Sequence, residues 1–519
     1  MTDHSPEPTQ LHSGVPGLDE LLRGGYLENR MYLVTGAPGS GKTTLCTHFL
    51  RAGLDEDETV LFVHGEESAR EIRENAAWFG IDLSGAAFLD LGPDSDFFVD
   101  DHSYDLVDTA DVDGDRFTEE IREAIEAVDP DRLVLDPITQ LRYVESSEYH
   151  YRKRLLALIR YLKERGITVL GTATDDPRRP SVVEVRSVSD GVISLTRTDE
   201  GRRIAIEKNR GIGQREGDHG MEVRDAGVEV FPRLSPTPET DGPFDSEPIT
   251  SGVPELDRLT GGGFPRGTVT FITGPPGVGK TTVGTQFLIE AAREGTHAAI
   301  YLFEERAAVF RHRCRSIGLP VDELERDDRL VIRRIEPGSM SAEEFAGLVR
   351  TDVVERDVGV VMIDGFTGYS ASIQGDPEAL IDDLHALTRH LDALGVGVFV
   401  TDAVHRITGL SSATSAHISA MADNVVYLTY VELDGSLGRV IGVLKKRTGP
   451  FQTTIREFAI GEDGLTVGEP LRGLHGILQG APTTPSGRWN DTPTTDPAVA
   501  RDDDQPGDPD ADRQDGEDA

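Results

Sequence analysis

Lysine has almost vanished from this 519-residue chain. Seven of its 52 basic residues are lysine, leaving 45 arginines against 92 aspartates and glutamates, for a formal charge of −40 and a pI near 4.6. Nonspecific duplex binding needs clustered Lys and Arg, so nucleic acid is not an expected partner. The acidity resembles the style of proteins from salt-adapted archaea: at molar salt the Debye length is only about 3 Å, and self-repulsion is tolerated. Cysteine is nearly absent too. Cys46 and Cys314 fall one in each half within helical patterns, so they read as small buried apolar residues rather than a disulfide. No apolar run reaches 18 residues and no basic-then-apolar leader is present, so no membrane association is expected and the expected location is cytoplasmic. The length exceeds what one core can fill, and two to four domains are expected.

Two stretches stand out from this background. Gly-Ala-Pro-Gly-Ser-Gly-Lys-Thr-Thr at 36–44 and Gly-Pro-Pro-Gly-Val-Gly-Lys-Thr-Thr at 274–282 each follow an apolar run and precede a helical pattern. That is the strand–loop–helix setting of a phosphate-binding P-loop. Gly36, Gly39 and Gly41, with Ser40 between, and Gly274, Gly277 and Gly279, with Val278 between, permit a backbone whose N–H groups converge on phosphates at a helix N-terminus. Lys42 and Lys280 are expected to reach the β- and γ-phosphates, and Thr43 and Thr281 to ligate Mg²⁺, with Thr44 and Thr282 completing each cradle. A Gly/Pro-rich turn imitates one such stretch far more easily than two. A nucleoside triphosphate is expected at two places.

The two P-loops lie 238 residues apart. So do Ser13-Gly-Val-Pro and Ser251-Gly-Val-Pro, and the acidic pairs Glu66-Glu67 and Glu304-Glu305. A constant offset across three motifs means tandem duplication of one domain. Apolar β-rich runs (60–63, 133–135, 169–171, 192–195 and 203–206; 299–303, 358–363, 396–400, 425–430 and 440–444) alternate with helical stretches at 117–128, 151–165, 342–355 and 377–394. This predicts α/β domains, each with a mostly parallel sheet flanked by helices and antiparallel strands extending one edge. The expected limits are 1–235 and 249–481, with a Pro/Thr/Asp/Glu-rich linker at 236–248 and an acidic tail at 482–519. Residues 491–519 hold eleven acids and two arginines, a composition that reads as disordered. Asp94–Asp115 reads as a solvated acidic loop; its Asp-Val-Asp-Gly-Asp run lacks an acid at the first calcium-ligand position.

Hydrolysis needs groups beyond the cradle. Asp136 and Asp364 each end an apolar strand downstream of a P-loop and are placed to hold the Mg²⁺ shell. Glu66-Glu67 and Glu304-Glu305 end the strand after each P-loop helix, at the edge where open α/β sheets bind ligands. One Glu of each pair is expected to act as general base, the first in preference; the bland alternative is a favourable acid opening the next helix. Lys208-Asn-Arg210 and Lys445-Lys-Arg447 retain lysine in a chain that has discarded it. Two residues apart in an extended segment, each pair is expected on one face, reaching a neighbouring subunit's nucleotide as an arginine finger does. A solvated strand end is the alternative.

Taken together, these motifs over residues 8–480, with the closing Ile455-Arg-Glu-Phe-Ala-Ile460, resemble the KaiC family of RecA-like ATPases with two tandem P-loop domains. The resemblance implies ATP and Mg²⁺ as ligands, a hexameric double ring binding ATP between subunits, and weak hydrolysis in the first ring. It also implies autophosphorylation in the second, on Ser or Thr of a neighbouring subunit. The family's adjacent Ser-Thr acceptor pair falls on Ser419 and Ala420, so only Ser419 remains, with Thr414 matching a nearby third hydroxyl. Gly365 stands where the family usually has Ser, and Pro137 takes the matching place in the first half. Residues 471–480 resemble the family's C-terminal loop, where regulators dock. Two rival functions share the core: a RadA-like DNA-repair ATPase, and a nucleotide-gated scaffold with negligible turnover. The first calls for basic DNA loops and an added N-terminal domain, whereas about a dozen residues precede the first repeat here. The paired acids and cations in both halves count against the second.

Overall fold

The structure is a computed structural model describing residues 9–92, 109–142, 148–174, 180–198, 201–234, 247–404, 421–433, 436–462 and 464–472. Each half is built on a nine-stranded sheet. In the first, the order runs Gly227–Phe231, His219–Arg224, Gly201–Asn209, Gly191–Thr198, Met31–Gly36, Thr168–Thr174, Arg132–Asp136, Val60–His64, Ala87–Asp90. The second repeats it: Gly464–Pro470, Arg456–Gly461, Ser436–Lys446, Asn424–Leu433, Val269–Gly274, Gly397–Ala403, Val358–Asp364, His297–Leu302, Leu330–Arg334. The strand feeding each P-loop is therefore the middle one of nine.

Its parallel neighbours need helical crossovers, and helices cover both faces; hence every residue of Met31–Gly36 and of Val269–Gly274 is buried. One face of the first sheet packs Leu45, Phe49 and Leu50 of the P-loop helix Lys42–Asp55, and the other packs Tyr151, Leu155 and Leu158. The second half has the same two-sided arrangement, with Phe287 on one face and Leu384 and Leu391 on the other. Beyond the parallel block, each sheet continues as antiparallel hairpins, the edge extension expected from the absence of intervening helices. Both thiols are free and buried. Among the described residues no helix is long and apolar enough to cross a membrane.

Two expectations need correction. The acidic stretch taken as a loop to Asp115 is helical from Thr109, in one helix running to Val128; its acids hid the period of the apolar residues that follow. The Lys-x-Arg pairs do not share one face of an extended segment. Their strands end at Asn209 and Lys446, so Arg210 and Arg447 lie beyond the alternation, and a bulge shifts the register just before each lysine's partner.

The halves touch. Leu234 packs into the core of the second half, and Arg233 reaches Asp383 at 2.9 Å. Helix Ala342–Glu355 carries Glu343 and Glu344 in its first turn, where the helix dipole favours acids, with Ser341 as N-cap. Those two carboxylates accept from Arg203 and Arg224 of the first half, the latter pair at 2.7 Å.

Candidate nucleotide sites

Each cradle begins where the middle strand leaves the sheet. Gly39 and Gly41 adopt φ of 74° and 105°, and Gly277 and Gly279 adopt 75° and 115°. This left-handed backbone favours glycine, which is why the motif tolerates little else there. Ser40 and Val278, between them, are turned inward and buried. Lys42 Nζ donates to the Gly36 and Ala37 carbonyls, both at 3.0 Å, and Lys280 Nζ to those of Gly274 and Pro275 at 2.9 and 3.1 Å. Each ammonium thus arches over its own loop. Burial lowers the pKa of both lysines, opposed by Asp136 and Glu66 in the first half and by Glu304, Asp364 and Asp402 in the second.

The first helical hydroxyl meets the strand-end carboxylate in both copies. Thr43 Oγ1 donates to Asp136 Oδ2 at 2.8 Å, and Thr281 Oγ1 to Asp364 Oδ1 at 2.9 Å. Hard oxygen donors so paired suit Mg²⁺. The sequence reading missed a third member. Thr172 and Thr401, from the strand between, donate to the same carboxylates, the second at 2.8 Å. Their signal was a hydroxyl at matching depth in both copies. Asp364 is 6% exposed, and burial raises its pKa although the hydroxyls of Thr401 and Thr281 hold it down.

The acidic pairs divide in the same way in both halves. The second member is held: Glu67 accepts from Asn75 Nδ2 at 3.2 Å, and Glu305 from Arg313 Nη2 at 2.7 Å. Among the described residues, the first members, Glu66 and Glu304, have no hydrogen-bond partner. Burial raises the pKa of Glu67, and the Asp136 charge adds to it. Glu304 lies against Gly365, whose φ is +104° and whose absent Cβ would sit 2.9 Å from Glu304 Oε1. Gly365 is therefore the residue this backbone and this carboxylate require. Gly365→Ser is expected to displace Glu304 and lower hydrolysis in the second half roughly tenfold, within the range of a general base set out of reach. Steady-state rates in a chain whose first half is silenced by Glu66→Gln and Glu67→Gln check this; an unchanged rate would mean Glu304 has room to spare.

The first half opens into a cleft of about 630 Å³ that includes Lys42, Thr43, Thr44, Glu67, Asn75 and Arg224. Its far wall holds Trp78, Phe79 and Asp225, none of which belonged to a recognised motif. Trp78 is 84% exposed.

The strand-end cations are not in this cleft. Lys208 pairs in register with Val192, whose parallel partner is Leu33, and Gly36 lies three residues further along that strand. Lys445 pairs with Val425, beside Phe271, three residues short of Gly274. At about 3.3 Å per residue, each lysine sits roughly 10 Å down the sheet from its own cradle, towards the opposite edge. Lys208 Nζ caps carbonyls at a helix end, those of Arg186, Ser187 and Ser189 at 3.1, 3.2 and 2.6 Å. Lys445 Nζ donates to the Ala422 carbonyl at 2.6 Å. Arg210 is exposed, and Arg447 meets Asp423 at 3.2 Å. Ser419 and Thr414 lie outside the described residues.

The comparisons with known proteins agree with this duplicated geometry. The family model for the KaiC ATPase matches residues 11–235 and again 249–472. The chain is 30% identical over 484 residues to the circadian clock oscillator protein KaiC of Picosynechococcus sp., covering 90% of this chain and 91% of that one. It is 30% identical over 492 residues to the KaiC of Parasynechococcus marenigrum, covering 91% and 93%. Against the KaiC of Thermosynechococcus vestitus it is 28% identical over 509 residues, covering 93% and 95%.

Proposed function

This chain belongs to the KaiC family of ATPases, and on that premise we propose that it works as a cytoplasmic regulatory ring. In this reading, a homo-hexamer hydrolyses ATP in both halves and phosphorylates itself on Ser419 in the second. The observation that carries the reading is the division of each site between two edges of one sheet. Cradle, hydroxyl–carboxylate pair and unpartnered Glu share one edge, and the Lys-x-Arg end lies at the other. A neighbouring copy stacked side by side brings the missing cations to each cradle.

The chemistry follows from the residues. Thr43 with Asp136, and Thr281 with Asp364, would hold Mg²⁺, which when bound neutralises charge on the β- and γ-oxygens. Lys42 and Lys280 present ammonium groups to the same phosphates. Glu66 and Glu304 stand as proton acceptors. As water oxygen bonds to the γ-phosphorus, the bond to the β,γ-bridging oxygen breaks, ADP leaves, and the water proton passes to the carboxylate. Phosphorylation is the same displacement with the Ser419 hydroxyl of an adjoining subunit as nucleophile and Glu304 taking its proton. Residues 471–480 are the docking place for protein regulators.

Intact-mass analysis after incubation with Mg-ATP tests the reading. One phosphate per chain is expected, mapped to Ser419 and lost in Glu304→Gln; phosphate elsewhere, or surviving that change, removes the kinase step. Light scattering in molar KCl with Mg-ATP that returned a monomer would remove the ring.

A further inference from the structure

The two halves superpose by an offset of 238 residues, and one position beside the reacting groups breaks the likeness. Asn75 in the first half becomes Arg313 in the second. The difference is one of charge and reach. Asn75 offers a single neutral contact to Glu67, at 3.2 Å. Arg313 grips Glu305 with two nitrogens, Nη2 at 2.7 Å and Nε at 3.4 Å, and its third donor, Nη1, reaches Thr282 Oγ1 at 3.1 Å. Thr282 lies one residue after the metal-site hydroxyl and opens the helix that carries Lys280. The guanidinium therefore ties the acidic segment to the P-loop helix, with its flat face over Phe310 at 5.4 Å. A planar fork of fixed donors holds a carboxylate in one orientation, which an amide with one contact does not.

We infer that Arg313 is a positioning residue that leaves the second half a single proton acceptor, whereas the first half has two. Held in a bidentate pair, Glu305 is neutralised and cannot swing to an attacking water or hydroxyl, so Glu304 alone serves. In the first half Glu67 keeps an oxygen open to the cleft and shares the work of Glu66. The inference rests on the ATPase reading above. It separates two tasks. A site with one acceptor can be tuned to a single nucleophile held in one place, and a site with two is suited to water arriving from solvent.

The test is a pair of double-mutant cycles in the full-length chain, with the other half silenced by Gln at both its glutamates. In the second half, Glu304→Gln is expected to lower kcat by about 100-fold or more when Arg313 is present, and by about tenfold in an Arg313→Asn background, because Glu305 is released to act. In the first half, Glu66→Gln is expected to cost about tenfold alone and about 100-fold when joined to Asn75→Arg. The KM for ATP is expected to stay within about twofold across each cycle. A purely structural role, loosening the P-loop helix through Thr282, would raise KM and leave the Glu304 effect the same with Arg or Asn at 313. That result overturns the inference. Failure of the ATPase reading looks different: a fluorescent ATP analogue would not bind the parent chain, or both Gln replacements would leave its hydrolysis intact.

Discussion

Replacing Lys280 by Ala is expected to remove nucleotide binding from the second half and leave the first untouched, with Lys42→Ala doing the converse. Each ammonium lies over its own loop with only main-chain carbonyls as partners, at 2.9 to 3.1 Å. No buried carboxylate is stranded when either lysine is cut back, so the fold should survive. The loss falls on the ligand: charge-assisted contacts to two phosphates disappear together, and affinity is expected to drop by at least about 100-fold. Isothermal titration with Mg-ATP should find two sites per chain in the parent and one in each variant. Two sites persisting in either variant would refute the P-loop assignment, whatever happened to hydrolysis.

The second large effect concerns cations that cannot reach their own cradle. An arginine contributed across a boundary accelerates phosphoryl transfer by about 10³ to 10⁵ in the best-studied cases. Arg447→Ala is accordingly expected to reduce second-half turnover by about 1,000-fold while nucleotide still binds. Complementation makes the expectation decisive. Arg447→Ala subunits retain Lys280, and Lys280→Ala subunits retain Arg447. If a site joins the cradle of one chain to the strand end of the next, mixing two inactive preparations restores a measurable fraction of activity. If Arg447 serves its own chain, or only steadies Asp423 at 3.2 Å, the mixture stays as dead as its parts. The Arg210 and Lys42 pair repeats the experiment for the first half.

Periodic and duplicated features were the legible ones. The middle strand, the P-loop helices and the strand-end aspartates each carry a local signal, and each appears twice at a fixed offset, so chance was easy to dismiss. What escaped reading depended on burial or on neighbours far along the chain. Arg132 looked like the polar boundary of an apolar strand, yet it is wholly buried, because Glu58 and the carbonyls of His12 and Phe49 surround its guanidinium. Val360 fills the corresponding place in the second half, where no such charge is needed. Helix Ala69–Trp78 was passed over although Ser68 and Glu71 form a full capping box, a signal present in four consecutive residues. The role of Arg313 was invisible for another reason. Its distance from Glu305 in sequence is eight residues, more than two helical turns, and only the bend between strand and helix folds one back on the other.

Arg224 stands in two places at once. It forms part of the first cleft, and its guanidinium is also held by Glu344 of the second half. The halves are consequently not interchangeable modules. A first half excised at the linker would keep all its motifs and still present a different cleft, with an uncompensated positive charge on its wall. Duplication made two copies of one unit, and this seam has since made each copy part of the other's environment.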